Sequence, residues 1–137
     1  MSDPDNIYPR VNLYIKEEEL LEPVSIEKLA NGYFQLLEHP IFSETVQFGD
    51  TVDLAKVTDT EYELIRIVQP SKLKKLGLVL PVEWEKEQEC QNILDKVTEN
   101  KGYWQRDFGG LLFIFYDPEL YCPMKDFEAM NRRLLFI

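Results

Sequence analysis

The first half of the chain alternates apolar and polar residues in short runs, a pattern typical of strands that bury one face. Turn-forming dipeptides such as Asn31-Gly32 and Gly49-Asp50 separate these runs, and Thr58-Asp59-Thr60 joins the last two as a β-hairpin. Five short strands with few helix signals predict a small curled sheet or barrel. The predicted strands cover residues 11–15, 24–29, 33–37, 51–57 and 61–68.

The last of these strands changes phase along its length. Tyr62 and Leu64 share one face, whereas Ile65 and Ile67 share the other. A shift of this kind predicts either a β-bulge or a strand that is covered on both faces.

The pattern changes after Pro70. Residues 74–80 predict a strand, and apolar positions at helical spacing then indicate a helix, namely Cys90, Ile93, Leu94 and Val97. Two further strands, 103–108 and 111–116, are joined at Gly109-Gly110, and Pro123 suits the first turn of a last helix. Tight hairpin turns require positive φ, so replacing both glycines with valine is expected to destroy the hairpin.

The order of the second half is therefore β-α-β-β-α, which is most of a ferredoxin-like unit. Only Phe136 and Ile137 follow the helix, so the closing fourth strand is expected to be missing and strand 74–80 to have one uncovered edge. The predicted fold class is α+β. A small curled β-sheet or barrel module over residues 1–70 packs on a ferredoxin-like layer over 71–137 as one compact unit.

Charge narrows the range of partners. The chain of 137 residues has 25 Asp+Glu against 15 Lys+Arg, a formal charge of −10. Direct nucleic-acid binding requires a basic stripe, and the only basic island, Lys72 with Lys74 and Lys75, is better interpreted as protection of a strand edge. The apolar runs are too short to span a membrane, and two unpatterned cysteines favour a reducing cytoplasm.

Residues suited to catalysis are few. His39 precedes Pro40 in a predicted turn without a nucleophile and acid arranged around it, and is interpreted as structural or solvent-facing. Cys90 lies on the apolar face of its helix and is interpreted as a core residue. Cys122 lies at a predicted helix start, where a reactive thiol is the alternative to a structural one. No catalytic, cofactor-binding or metal-binding residues are expected.

The carboxylates are the more numerous candidates for functional residues. Their default interpretation is solvated charge, and the alternative is a partner-facing acidic patch. If the turn at residues 17–19 and the hairpin at 59–63 share one rim, they form one negative patch that attracts a basic partner and weakens as salt screens it. Trp104 is a candidate interface anchor, although a core position is the more common use of tryptophan. The candidate partner-binding residues are Glu17, Glu18, Glu19, Asp59, Glu61, Glu63 and Trp104.

Between residues 20 and 114 the chain resembles a family of bacterial proteins known as a domain of unknown function. The residues that carry the resemblance are Pro23-Val24-Ser25-Ile26-Glu27-Lys28-Leu29, Gly32-Tyr33-Phe34-Gln35-Leu36, Pro40-Ile41-Phe42, Val46, Gly49-Asp50-Thr51-Val52, Ile67-Val68-Gln69-Pro70-Ser71 and Gly110-Leu111-Leu112. The resemblance implies bacterial origin and a small β module followed by an α/β half, and it carries no established activity. This chain departs from the family at Lys72-Leu73-Lys74, where members have a Gly/His/Ser-type stretch.

Three functions remain open. The first is a non-catalytic acidic immunity or inhibitor protein that neutralises a basic bacterial effector such as a nuclease toxin. The second is a regulatory or ligand-sensing module that binds a small molecule or peptide, and the third is a small hydrolase with paired carboxylates. The expected partner is a basic protein rather than nucleic acid or a membrane, and an open strand edge would allow a homodimer.

Overall fold

The computed structural model describes residues 8–130, 132 and 134–137. The fold is mixed α+β, as predicted, and the chain divides into two compact units, Met1–Ser71 and Lys72–Ile137. The first unit holds a closed five-stranded barrel, and the second holds a separate four-stranded sheet with its helices. The barrel confirms one of the two predicted forms of the first half.

Each barrel strand pairs antiparallel with the next along the chain. A parallel pairing between the first and last strands closes the barrel, with Asn12 beside Glu61 and Tyr14 beside Glu63. A short 3-10 helix, Lys16–Glu18, joins the first two strands. The strands are β1 Arg10–Ile15, β2 Leu20–Lys28, β3 Phe34–Leu36, β4 Thr51–Lys56 and β5 Glu61–Gln69.

The barrel core follows from the alternation in the sequence. Residues that point inward on β1, such as Leu13 and Ile15, are fully buried, while Asn12 between the inward positions is exposed. Each fully buried Leu or Ile side chain stabilises the fold by about 1.5–3 kcal/mol relative to leaving it exposed. The buried cluster comprises Val11, Leu13, Ile15, Val24, Ile26, Leu36, Val46, Val52, Leu54 and Leu64.

The phase change in β5 comes from bulges, which confirms one of the two alternatives. Asp53 faces Arg66, whereas the adjacent Leu54 faces Leu64, so Ile65 is an extra residue on β5. Ile65 follows the inward Leu64 and faces solvent, with 52% of its surface exposed, and the extra residue allows Ile67 to pack against the core.

The second unit contains the predicted strands and helices, with a short separate helix before the first predicted helix and an additional strand. Its antiparallel sheet has the order β7-β8-β6-β9, and β8 is central, as expected from its apolar sequence. The helical spacing also predicted correctly that Cys90, Ile93, Leu94 and Val97 are buried. The elements are β6 Lys74–Val79, α1 Val82–Glu85, α2 Gln88–Glu99, β7 Tyr103–Asp107, β8 Leu111–Tyr116, α3 Pro123–Ala129 and β9 Leu135–Phe136.

The expectation that no fourth strand follows the last helix was wrong. β9 pairs with β6, placing Phe136 opposite Leu78 and Leu135 opposite Val79, so the edge of β6 is covered along this part. A β-carbon on Gly77 would lie 2.9 Å from the Ile137 side chain, so the missing side chain permits the close approach. A strand of two residues has too little periodicity to be recognised in a sequence.

The β7–β8 hairpin forms as predicted, but its turn is shifted by one residue. Positive φ angles occur at Phe108 (53°) and Gly109 (71°), whereas Gly110 is outside that region. The prediction that both glycines require positive φ was therefore wrong for Gly110. The dipeptide marked the position of the turn but not which residues take the left-handed conformation.

Candidate functional site

The formal charge is divided unequally between the two units. Residues 1–71 contain 14 Asp+Glu and 5 Lys+Arg, a charge of −9, while residues 72–137 contain 11 and 10, a charge of −1. The acidic character of the protein is therefore a property of the barrel unit. Any electrostatic attraction to a basic partner arises mainly from that unit.

Several barrel carboxylates hold the protein's own loop between β3 and β4, residues 37–50. One oxygen of Glu18 accepts a hydrogen bond from the Ser43 hydroxyl at 2.6 Å, and the other accepts from the Glu44 N–H at 2.8 Å. Glu22 is only 6% exposed, and its carboxylate accepts from the Phe42 N–H at 3.0 Å. These two carboxylates therefore accept hydrogen bonds from three polar groups of the loop.

The two ends of the same loop are fixed in the same way. Glu38 accepts hydrogen bonds from the N–H and the hydroxyl of Ser25 at 2.9 and 2.5 Å, and pairs with Arg10 at 3.2 Å. Asp50 accepts from the N–H groups of Gln47 and Ser71 at 2.9 and 2.7 Å. We call Glu18, Glu22, Glu38 and Asp50 the loop clamp.

The loop held by the clamp belongs to the barrel core. Its Val46 is part of the buried cluster, and His39 and Ser43 are also buried. The burial of His39 agrees with a structural role. The loop clamp is therefore an architectural feature that fixes the loop over the barrel core.

Two clamp residues have shifted pKa values, in opposite directions. Burial acts to raise the pKa of Glu18, but hydrogen bonds from Glu44, Ser43 and Thr45 outweigh it and lower the pKa. Burial of Asp50 raises its pKa against the two backbone hydrogen bonds from Ser71 and Gln47. Acid therefore affects the middle of the loop, which Glu18 holds, and its end at Asp50 differently.

The candidate carboxylates of the first turn differ in exposure. Glu17 and Glu19 are exposed, while Glu18 between them is occupied by Ser43 and Glu44. Glu19 is in the left-handed conformation that ends the 3-10 helix, with φ 53°. Only the outer two of the three thus present free carboxylates to solvent.

The carboxylates of the β4–β5 hairpin also differ. Asp59 at the tip pairs with Lys56 at 3.1 Å, and this pairing raises the pKa of Lys56. Glu61 and Glu63 lie on β5 beside Asn12 and Tyr14, the outward positions of β1. Both therefore point to the outside of the barrel.

The turn at 17–19 and the hairpin tip do not share one rim. The N–H of Asn12, near the start of β1, donates to Thr60 at the tip at 2.7 Å, whereas Glu17 follows the end of β1. At about 3.3 Å per residue, the five residues from Asn12 to Glu17 span about 16 Å. The parallel register thus places the hairpin tip and the turn toward opposite ends of β1, with Glu63 beside Tyr14 between them, so the tip does not meet the condition of one shared rim.

Trp104 is half-buried and packs against the core of the second unit. Cys90 belongs to the same core, and burial raises the pKa of its thiol. Cys122 is half-exposed at the N-cap of α3, and its side chain makes no capping hydrogen bond. Cys90 is thus the core residue that was predicted, while Trp104 packs on the same core and its role as an interface anchor stays a prediction.

A groove of about 310 Å³ lies between α2 and α3 of the second unit. Beside it, Asp126 accepts hydrogen bonds from the Tyr121 hydroxyl at 2.6 Å and from Lys96 at 3.3 Å. Burial and this hydrogen bond raise the pKa of Tyr121, while the bond from Tyr121 lowers the pKa of Asp126. The groove is lined by Glu89, Asn92, Ile93, Lys96, Asp126, Ala129 and Met130.

The described residues contain neither a group of side chains placed to hold a metal ion nor a helix able to span a membrane. Within that part of the chain, no three His, Cys, Asp or Glu side chains are grouped to hold a metal ion. None of the helices in the same residues has the length and apolar character needed to cross a bilayer.

The loop clamp contains residues that the sequence did not reveal as important, namely Glu22, Glu38 and Asp50. A signal for Glu22 was present, because it shares the inward-facing period of β2 with Val24 and Ile26. A carboxylate at an inward position indicates a buried hydrogen-bond acceptor. The motif residues Pro40-Ile41-Phe42, Val46 and Gly49-Asp50 lie in the loop itself.

Comparison with known proteins supports the fold alone. The sequence matches no protein-family model and no curated protein. The structure is similar to the crystal structure of a hypothetical protein from Neisseria gonorrhoeae, with a TM-score of 0.61 and 17% sequence identity. The match covers 96% of this chain and 94% of that chain. These results are consistent with the resemblance to an uncharacterised domain.

Proposed function

We propose that this chain is a non-catalytic acidic protein that neutralises a basic protein partner, as an immunity or inhibitor protein neutralises a basic bacterial effector such as a nuclease toxin. The observation that carries the proposal is the concentration of −9 of the formal charge in the barrel unit. A surface of one sign accelerates encounter with a partner of the opposite sign and disfavours other partners.

Separating the carboxylates by role supports this proposal. Those of the loop clamp already hold N–H and hydroxyl groups of the barrel unit. Glu61 and Glu63 on β5, by contrast, point outward next to β1. The negative charge thus exceeds what the architecture uses, which leaves carboxylates available for a partner.

The absence of catalysis is part of the proposal. Catalytic acids and nucleophiles must reach a substrate, whereas Glu22, His39, Ser43 and Asp50 are buried around the loop. The two free cysteines, Cys90 and Cys122, favour a reducing cytoplasmic setting. Hydrolysis of a substrate that is abolished by one carboxylate-to-amide change would contradict this part.

We also propose that the second unit is ferredoxin-like. Its element order becomes β-α-β-β-α-β when β9 is included, with all sheet pairings antiparallel. Its strand order, β7-β8-β6-β9, places the first and third strands of the unit at the centre, as that fold requires. An experimental structure in which β9 does not pair with β6 would contradict the ferredoxin-like topology.

A ligand-sensing module is the second candidate function. The groove between α2 and α3, at about 310 Å³, has the size of a small-ligand site and both polar and apolar lining residues. A sensor would be stabilised against heat by its ligand without any protein partner. A metabolite panel in a thermal-shift assay, repeated with Asn92→Trp to fill the groove, tests this candidate.

Capture of the partner tests the leading proposal. The immobilised chain is exposed to lysate of the native host at about 0.05 M salt and washed at about 0.5 M, where screening is stronger. We expect a basic protein that is released by the salt and whose activity the chain inhibits. Capture of only acidic proteins or nucleic acid, or binding without inhibition, would contradict the proposal.

A further inference from the structure

One outer face of the barrel combines exposed apolar side chains with two carboxylates. Tyr14 at its centre lies opposite Leu21 on β2 and beside Glu63 on β5. Glu61 precedes Glu63 by two residues and Ile65 follows it by two, so all three lie on the outward side of β5. We call Tyr14, Leu21, Glu61, Glu63 and Ile65 the β1–β5 face.

The apolar members of the face are unusually open to solvent. Leu21 is 53% exposed and Ile65 is 52% exposed, on opposite sides of Tyr14 and Glu63. The bulge in β5 lies at Ile65, and bulges are over-represented next to functional sites. Single exposed apolar residues are ordinary, but their grouping around an aromatic ring on one sheet face is typical of an interaction surface.

No ion pair joins the carboxylates of the face to a cation among the described residues. Lys56 is paired with Asp59 at 3.1 Å, and Arg66 with Asp53 at 3.9 Å. Arg66 also donates to the Tyr33 hydroxyl at 3.0 Å. Glu61 and Glu63 therefore keep their full capacity to accept hydrogen bonds from a partner.

We propose that the β1–β5 face is the docking surface for the basic partner, and that it binds a protein segment presenting arginine side chains between apolar ones. This inference rests on the proposed function. A guanidinium group can form paired hydrogen bonds with Glu61 or Glu63 and stack on the Tyr14 ring. Its aliphatic stem and the apolar neighbours of the segment then cover Leu21 and Ile65.

Charge complementarity favours this occupant over others. A second copy in a symmetric dimer would place Glu61 and Glu63 near the same carboxylates of the other chain, which is repulsive. An anionic membrane or nucleic acid would be repelled by the charge of the barrel unit. A basic segment with apolar side chains is attracted by both components of the face.

The test uses the full chain and a defined probe, a fluorescein-labelled octapeptide of alternating arginine and leucine. Binding is followed by fluorescence anisotropy, and backbone 15N chemical shifts locate the contact. An octapeptide of alternating lysine and serine carries the same charge without apolar side chains. We expect the arginine–leucine peptide to bind about ten-fold more tightly, because it also covers Leu21 and Ile65.

Variants distinguish the contribution of the β1–β5 face to peptide binding from that of the overall negative charge. Glu61→Gln with Glu63→Gln should weaken binding of the arginine–leucine peptide about five-fold to ten-fold. Leu21→Ser should also weaken it, although the charge is unchanged. Asp95→Asn with Glu99→Gln is the matched control in the second unit, has the same charge change, and should alter binding less than about two-fold. Circular dichroism verifies that each variant is folded.

The outcomes distinguish the face from the proposed function. Four results would each overturn the docking surface. They are peptide-induced chemical-shift changes outside the face, equal weakening of binding by the control pair, equal affinity for both peptides, and no binding of the arginine–leucine peptide. A dimer in sedimentation equilibrium that Leu21→Ser disrupts would identify a second copy as the occupant and overturn it as well. If the host partner binds the Glu61/Glu63 variant unchanged, the face is wrong while the inhibitor function stands. If no basic partner is captured but the peptide binds at the face, the inhibitor function is wrong while the face stands as a binding surface.

Discussion

The two units use their charged side chains in different ways. In the second unit, acidic and basic residues nearly balance, and Asp126 and Glu87 pair with Lys96 and Arg132. In the barrel unit the acidic residues outnumber the basic ones by nine, and several of them accept hydrogen bonds from backbone N–H groups. Carboxylates of the barrel unit thus accept hydrogen bonds from a loop, whereas those of the second unit pair with cations.

This difference shows that net charge alone does not locate an interface. A carboxylate such as Glu22 adds to the charge of the barrel unit but is buried and holds the loop. Glu63 adds the same charge and faces outward. The variants described next test whether structural and available carboxylates differ in their effect on stability. They also test whether the stability of the second unit depends on packing rather than on charge.

The largest effect is expected in the second unit, where packing rather than charge is decisive. A β-carbon at Gly102 would lie 2.6 Å from the carbonyl oxygen of Phe115 and 2.8 Å from that of Val97. Because both atoms belong to the backbone, Gly102→Ala should lower the free energy of unfolding by about 3 kcal/mol. Urea denaturation followed by fluorescence measures it, since Trp84 and Trp104 both lie in this unit.

Gly110→Ala is the matched control for that experiment. No atom lies within 4 Å of a β-carbon at Gly110, and its φ is not positive. Its free energy of unfolding should therefore change by less than about 0.5 kcal/mol. Equal stability of the two variants would show that the backbone around Gly102 can shift to accommodate a β-carbon.

The next largest effect should come from the loop clamp. Glu22→Ala removes a buried carboxylate that accepts from the Phe42 N–H and leaves a cavity, which should cost about 2–3 kcal/mol. Glu17→Ala makes the same substitution at an exposed carboxylate and should cost less than about 0.5 kcal/mol. Urea denaturation followed by circular dichroism compares them. Similar losses would remove the distinction between structural and available carboxylates.

A pH-dependent effect is expected at Glu18. Because its folded pKa is lowered, ionised Glu18 contributes stability that is present above its unfolded pKa of about 4.5 and is lost as pH falls through the folded value. Glu18→Gln should therefore be less stable than the original protein by about 1 kcal/mol at pH 7. The difference should shrink below pH of about 4.5. Thermal unfolding across this range measures it, and a constant difference would contradict the role of Glu18.

The smallest effect is expected at the β7–β8 turn. Gly109 has φ 71° with open space around a β-carbon, so Gly109→Ala should cost about 1 kcal/mol from backbone strain alone. Tryptophan fluorescence during urea denaturation measures this difference against Gly110→Ala. If the Gly110 variant proved the less stable of the two, the turn would lie where the sequence first placed it.

The sequence predicted those parts of the fold that depend on local patterning. Alternation predicted the barrel strands, the phase change at Ile65 predicted a bulge, and helical spacing predicted the buried face of α2. β9 was missed because two residues carry no period, and the turn position was missed by one residue. The first error concerns a feature that depends on a tertiary contact, the approach of Ile137 to Gly77.

The candidate site was less predictable. Counting carboxylates identified Glu61 and Glu63, but whether the acidic turns meet depends on the parallel register of β1 and β5. The roles of Glu18 and Glu22 depend on where the loop crosses the barrel, which leaves only a faint sequence signal. Pairings between distant strands thus decide which carboxylates are available to a partner.

The same parallel pairing has a consequence for how the barrel forms. The four antiparallel pairings join strands that are consecutive along the chain, whereas Asn12 must meet Glu61 across about 50 residues. During synthesis β1 therefore waits for β5 to leave the ribosome, and closure is a late step. Until then the edge of β1 is open to other chains. Glu17 and Glu19, which are exposed just beyond its end, carry the kind of charge that disfavours such pairing.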